Sequence, residues 1–274
     1  DFNYNMKEKA LVLIAIITGA LSSAFGMVPL DIETHSSLPE TANSAFKPGE
    51  KLTYKMHYGI IDAGEAVLEI KDSPYTFENR DAYYAVGTGR SLGAFDMFFK
   101  VRDKYETYID KKGVFPWYFK RRVDEGGYKI SQDYTFDQGA GEVFTQKEET
   151  HEVPMGVQDM VSAFYFARTF DFSDIQKGDV FEIPTFVDDE LFNLRIKFQG
   201  RETIKIRNGK FKAMKFIPLV QEGRIWKDEN DLNVWISDDD NKIPLLAKTK
   251  ILFGSIKMEL TEYSGLAHKI SKVR

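Results

Sequence analysis

The run Phe192-Asn193-Leu194-Arg195-Ile196-Lys197-Phe198-Gln199 places every apolar residue on one side of an extended segment. A period of two is incompatible with a helix, whose apolar positions recur every three to four residues. The pattern returns along most of the chain. Leu52, Tyr54, Met56 and Tyr58 alternate with Thr53, Lys55 and His57. After Ile61-Asp62-Ala63-Gly64, which reads as a turn, Ala66, Leu68 and Ile70 share a face, and Ser73-Pro74 is a break. Ile256, Met258 and Leu260 oppose Lys257, Glu259 and Thr261. The links are short: Asp110-Lys111-Lys112-Gly113, Gly126-Gly127, Asp137-Gln138-Gly139 and Asn208-Gly209, the last a strong hairpin signal. Short links join antiparallel neighbours, because a parallel crossover needs a dozen or more residues. An aromatic content of 14% suits strands that pack large rings.

One stretch departs from this period. Between Pro154 and Phe170, the residues Val157, Met160, Val161, Phe164 and Ala167 fall at helical spacing. Asp159 in the first turn and Arg168 in the last complement the helix dipole. The spacing predicts a helix over 157–170, and a short helical turn over Leu92–Phe99 with Phe95, Phe98 and Phe99 inward. The expected fold class is mainly β: a large curled antiparallel sheet or partly closed barrel, with one central amphipathic helix on its concave face. Two stacked sandwiches are the alternative.

Ahead of the strands, Met6, Lys7 and Lys9 precede an apolar run, Ala10–Ile17, and small residues extend to Gly26. The run is too short for a bilayer core of ~30 Å. The order basic, apolar, small is that of a secretory signal. Residues 1–26 therefore read as a signal peptide, 27–45 as a flexible linker, 46–265 as one β-rich domain in two halves joined by helix 157–170, and 266–274 as a C-terminal tail. A periplasmic, monomeric protein is expected, reaching a membrane only through an uncleaved leader.

The chain has no Cys, so disulfides, thiol nucleophiles, Cys-based zinc sites and a lipid-modified N-terminus are excluded. A net charge of −5 with interspersed signs offers no basic face for nucleic acid. His35, His57, His151 and His268 are scattered, and His57 reads as a solvated strand residue. There is no H-E-x-x-H and no G-x-S-x-G. Gly89-Arg90-Ser91-Leu92-Gly93 lacks the spacing and Lys of a phosphate loop and reads as a turn. Asp238-Asp239-Asp240-Asn241 lacks the spaced ligands of a calcium loop and also reads as a turn. No catalytic residue, metal or cofactor is implied. Aromatic residues form the candidate ligand-binding set: Trp117 and Phe119 on one strand face, Phe164 on the helix, and Trp226 and Trp235 on later strands. The competing reading is a packed core.

Several segments occur together: Gly49-Glu50-Lys51-Leu52-Thr53-Tyr54, Gly59 to Ala66, Val157 to Ser162 leading into Phe164 to Arg168, and Trp235-Ile236-Ser237 followed by Lys242 to Leu245. In order and spacing they resemble the exported bacterial proteins catalogued as domain of unknown function 3108, over roughly Phe46 to Tyr263. The resemblance implies an envelope location and a β-rich fold. It implies no activity, cofactor or catalytic set. The expected function is a non-catalytic envelope protein that binds an apolar or amphipathic ligand, such as a lipid, between sheet and helix. The alternative is a glycan- or protein-binding assembly module presenting exposed Trp residues. A third reading, a glycan hydrolase, needs two carboxylates ~5–9.5 Å apart in a cleft.

Overall fold

Among the described residues the strand ladders are all antiparallel, and they join into one 15-stranded sheet. The computed structural model describes residues 38–219, 232–250 and 255–273. The leader at 1–26 and Trp226 lie outside the described residues. The first half is a meander: β1 (Lys51–Tyr58), β2 (Ile61–Phe77), β3 (Arg80–Ser91), β4 (Arg102–Asp110), β5 (Pro116–Glu125), β6 (Tyr128–Asp137), β7 (Glu142–Thr145) and β8 (Thr150–Glu152). The second half is another: β9 (Val180–Val187), β10 (Glu190–Ile206), β11 (Gly209–Leu219), β12 (Leu232–Ser237), β13 (Pro244–Lys250) and β14 (Ser255–Ser264). β1 pairs with β14 and fuses the two meanders into one curled sheet.

The ladder does not close. Its ends are β8 and β9, and side chains and a short piece of backbone seal the gap. Gln158 N donates to Pro184 O at 2.9 Å, and Phe186 N donates to Gln158 O at 2.7 Å. Tyr134 Oη donates to Asp189 Oδ1 at 2.8 Å, and Arg121 Nη1 donates to Asp188 Oδ1 at 2.8 Å. These bonds tie β5 and β6 to the β9–β10 turn.

Two short helices complete the described fold: α1 (Gly93–Phe98) and α2 (Met160–Ala167). α2 is shorter than the predicted 157–170. Val157 and Gln158 run beside β9, and Asp159 then caps the helix. Its Oδ1 accepts from Val161 N at 2.6 Å and Ser162 N at 2.8 Å, while Asp159 N donates to Ser162 Oγ at 2.8 Å. Reciprocal bonds of this kind satisfy orphan N–H groups at a helix start. The helix packs across β3, β4 and β9 on the concave face. Met160, Val161, Ser162, Ala163 and Tyr165 are buried. Phe46 meets Tyr165 edge to face at 4.9 Å, closing the core beneath. A second, smaller core of Phe172, Phe198, Met214 and Phe216 lies on the other face of β10 and β11.

Several sequence expectations change, and the turn read at Ile61–Gly64 is one: these residues open β2, and the chain turns at Gly59–Ile60. The Gly89–Ser91 segment is part of β3, not a turn. Ser73-Pro74 is a register shift within β2, not its end. β9 was not singled out by periodicity, because Pro184 interrupts it; the proline is tolerated at a sheet edge. The residues read as linker and tail pack onto the domain from Leu38 onward and up to Val273. Thr41 N donates to Lys112 O at 2.7 Å, Ala45 is buried, and β15 (Lys272–Val273) pairs with β11.

Candidate ligand cavity

Cross-strand register stacks the inward side chains of the first half in layers. The outer layer runs Met258, Met56, Gly64, Ser91, Val101, Glu125. The next holds Leu260, Tyr54, Ala66, Gly89 and Asp103. The third holds Leu52, Leu68, Gly87, Tyr105 and Arg121. In each layer β2 or β3 contributes a residue with little or no side chain. The missing volume is a cavity of about 340 Å³. It falls within the range of about 300–1,000 Å³ common for small-molecule sites. Met56, Ala66, Leu68, Phe95, Phe99, Met258 and, from α2, Val161 line it. The wall is overwhelmingly apolar.

The cavity reaches solvent at one end. Tyr58 and Ile61, which line it, are exposed. Beside them Ile60 is 97% exposed at the tip of the β1–β2 hairpin, and Met97 and Phe98 of α1 are 84% and 87% exposed. Phe98 was expected inward; here Phe95 and Phe99 turn toward the cavity and Phe98 faces away. An apolar rim thus surrounds an apolar opening.

Glu65, Arg90 and Glu125 are the charged residues of the lining, and Glu65 and Arg90 bond each other. Glu125 lines the cavity, and Asp103 and Arg121 sit in the layers below it, all buried. Burial and the neighbouring Asp103 charge push the Glu125 carboxyl up to about 8. Burial also raises the Asp103 carboxyl. Arg121 stays charged: its Nη1 bonds Asp188, and its guanidinium lies 5.7 Å from the Tyr105 ring centre. His57 also lines the cavity. It is buried, not solvated, with Nε2 3.3 Å from Glu259 and Nδ1 3.0 Å from Gly59 O. A second depression, of about 360 Å³, lies on the outer face. Its charges are matched in pairs, Arg90 with Glu65, Arg102 with Asp96 and Arg122 with Asp133.

Of the aromatic residues expected to bind ligand, the four described ones, Trp117, Phe119, Phe164 and Trp235, do not line the cavity. Trp117 is buried between Phe115 and Phe77, and its Nε1 donates to Asp110 Oδ2 at 3.3 Å. Phe119 stacks on Tyr134 at 5.8 Å within the core. Phe164 packs on Tyr165, with the Arg168 guanidinium 5.4 Å from its ring centre. Trp235 is half-buried, donating to Glu202 Oε1 at 2.7 Å beneath Lys215. These rings fill the interior and brace strands. The residues that make the site are small: Ala66 and Gly87, and Gly64 and Gly89, which the sequence pattern assigns to turns.

Three of the segments that carry the family resemblance meet around Arg168. Its Nη1 and Nη2 donate to Glu50 Oε1 and Oε2 at 2.6 and 2.8 Å, Nη2 also to Ala45 O at 3.1 Å, and Nε to Asn241 O at 2.8 Å. Asn241 belongs to the acidic turn. There Asp239 Oδ1 accepts from Ser237 Oγ at 3.0 Å and Asn241 N at 2.8 Å, as a turn-stabilising Asp does. Arg168 ties these segments into the scaffold, while Ala63, Gly64, Ala66 and Val161, which belong to segments of the same set, line the cavity.

A beta-barrel-like protein of domain of unknown function DUF1849 from Brucella abortus has a similar fold, with a TM-score of 0.50 at 10% identity over 84% of this chain and 99% of that one. A DUF1089 family protein from Pseudomonas aeruginosa aligns with a TM-score of 0.38 at 12% identity, over 72% of this chain and 96% of that one. A search of curated proteins gives no match. The profile described as "Protein of unknown function (DUF3108)" matches residues 53–261, which take in β1 through most of β14, and the chain belongs to that family.

Proposed function

We propose that this protein is an exported envelope protein that binds an apolar or amphipathic small molecule inside its curled sheet. The observation that carries the reading is the apolar cavity of about 340 Å³, walled by β1–β4, β14 and α2 and open through an apolar rim. Burying apolar ligand surface stabilises by roughly 25 cal/mol per Å², so a dry, preformed wall is enough for useful affinity. The leader reading places the protein in the periplasm, where sparingly soluble molecules need a carrier.

Native mass spectrometry of protein purified without detergent, together with titration of a fluorescent apolar probe, tests the proposal. A retained small molecule, or saturable probe binding that Gly89→Val abolishes, supports it. Probe binding untouched by Gly89→Val places the ligand elsewhere and overturns it.

A further inference from the structure

The apolar side chains most open to solvent gather at the mouth of the cavity. An antiparallel meander places alternate links at the same end. The β1–β2 turn, the β3–β4 link that holds α1, and the β5–β6 turn therefore lie together. The last two touch: Gly126 N donates to Lys100 O at 2.7 Å, and a Cβ on Gly126 would meet the Phe99 ring at 2.4 Å. Ile60, with Tyr58 and Ile61 beside it, is exposed on the first turn, and Met97 and Phe98 are exposed on α1. Tyr128, on the β5–β6 turn, is also exposed and stands opposite Glu125, on the cavity side of the sheet. None of the residues of α1 is buried, although Asp96 is its one charged residue and four of the six are Ala, Phe or Met. A helix so nearly apolar all round is normally covered, and clustered exposed apolar residues mark an interaction site.

Resting on the apolar-ligand reading above, we infer that this rim docks on a phospholipid bilayer. Ile60, Met97 and Phe98 enter among the acyl chains, and the mouth of the cavity opens onto the membrane. Tyr58 and Tyr128 each join an apolar ring to a polar tip, the combination favoured at a membrane–water boundary. The charges agree. The acids nearest the rim, Asp62 and Asp96, are held by Arg207 and Arg102 and do not repel lipid phosphates. Lys100 and Lys129 are exposed beside α1 and Tyr128. Lys129 reaches Asp124 at 3.4 Å between two exposed side chains, a weak pair that a lipid phosphate readily replaces.

A protein partner answers the geometry less well. The rim offers Tyr58, Ile60, Ile61, Met97, Phe98 and Tyr128, far short of the roughly 20–30 residues a side of a stable protein interface. They stand on three separate tips around an opening, so a protein seated on them would seal the cavity from its ligand. A bilayer surrounds each tip separately, and it is the phase in which an apolar ligand resides.

Flotation with vesicles of phosphatidylcholine, with and without phosphatidylglycerol, tests the inference on the full chain. Wild type is compared with the combined variant Ile60→Ser, Met97→Ser, Phe98→Ser and with Tyr75→Ser. Tyr75 is exposed too, but toward the opposite end of β2. None of the three rim residues lines the cavity, so titration of the fluorescent apolar probe without vesicles reports whether each variant is folded. Wild type and Tyr75→Ser are expected to bind both kinds of vesicle alike. The combined variant is expected to lose at least about tenfold in vesicle affinity, with probe affinity within about threefold of wild type. Should it lose probe binding, Phe98→Ser alone replaces it, with a loss of about threefold expected. Equal flotation of wild type and rim variant assigns the contact to the leader or another surface and overturns the inference. A wild type that ignores vesicles, or that light scattering shows to dimerise through the rim, overturns it as well. In those cases saturable probe binding leaves the cavity standing. A wild type that takes up no probe overturns the cavity reading instead, whatever the vesicles do.

Discussion

Glu125 couples the cavity to pH. Its folded-state carboxyl, at about 8, lies above the ordinary 4.5 because it is buried beside Asp103, with Arg121 the opposing charge. A raised acid binds its proton more tightly when folded. The stability this gives is complete below pH 4.5, falls as the unfolded chain ionises, and is gone by about pH 8. Thermal unfolding of wild type and Glu125→Gln from pH 5 to pH 8 checks this: the variant is expected to gain on wild type as pH rises. A gap between the two proteins that does not move with pH excludes the linkage. Gly87 and Gly89 act in the opposite way, by absence. A Cβ on Gly87 would meet Leu68 at 3.6 Å and one on Gly89 would meet Asp103 at 3.6 Å, both ordinary contacts. Each Gly→Ala change should therefore stabilise by roughly 0.4–1 kcal/mol through the unfolded chain, while shrinking the cavity. Urea unfolding with probe titration on Gly87→Ala and Gly89→Ala should show stability rising as affinity falls. Glycines kept at a cost to stability are what a binding site explains and a packed core does not.

At the scale of elements, the strands were readable because half-buried strands must alternate and antiparallel links can be tight. Hence β1, β10 and β14 follow from their own residues. The pairing of β1 with β14 was not readable, since nothing local joins residues two hundred positions apart. The cavity was hidden for a related reason. It arises where Gly64, Ala66, Gly87 and Gly89 align, and alignment is a property of register, while a hydrophobicity pattern registers bulk and overlooks its lack. Bulk of that kind marks Trp117 and Phe119, whose rings are the filling. α2 was half readable. The apolar spacing found it, but the segment at Val157 and Gln158 answers to β9, leaving Asp159 as the true start. Asp159 is fully buried, with Oδ2 accepting from Thr107 Oγ1 at 2.5 Å, so one side chain both caps the helix and fastens it to β4. An N-cap replacement by Ala usually costs about 0.5–2 kcal/mol. Here Asp159→Ala also strips Thr107 of its partner, and a loss above about 2 kcal/mol is expected by urea denaturation. Asp159→Asn, which keeps an acceptor, should recover most of it. Equal losses in the two variants would show that the cap bonds carry little.

In the molecule as a whole, two meanders meet at β1–β14 and face each other again across the unpaired ends β8 and β9. Of these two seams only β1–β14 is a continuous ladder, so side chains and the short backbone bridge at Gln158 must hold the other. Arg168 is the principal tie, because it joins the end of α2 to Glu50 before β1 and to Asn241 before β13. Both members of the ion pair are about as buried as any charge in the protein, at 2% and 1% side-chain exposure. Such a pair gives little net stability relative to a well-packed apolar substitute, but removing one partner strands the other, at a cost of about 3–5 kcal/mol. Arg168→Met should thus destabilise by about that amount, and Glu50→Gln in the same chain should restore a large part by removing the uncompensated charge. A double-mutant cycle by denaturant unfolding measures the coupling. Additive losses would mean that the pair is incidental. Strong coupling would mean that Arg168 and Glu50 hold the curled sheet in register, and so keep the glycine rows of β2 and β3 aligned where the cavity depends on them.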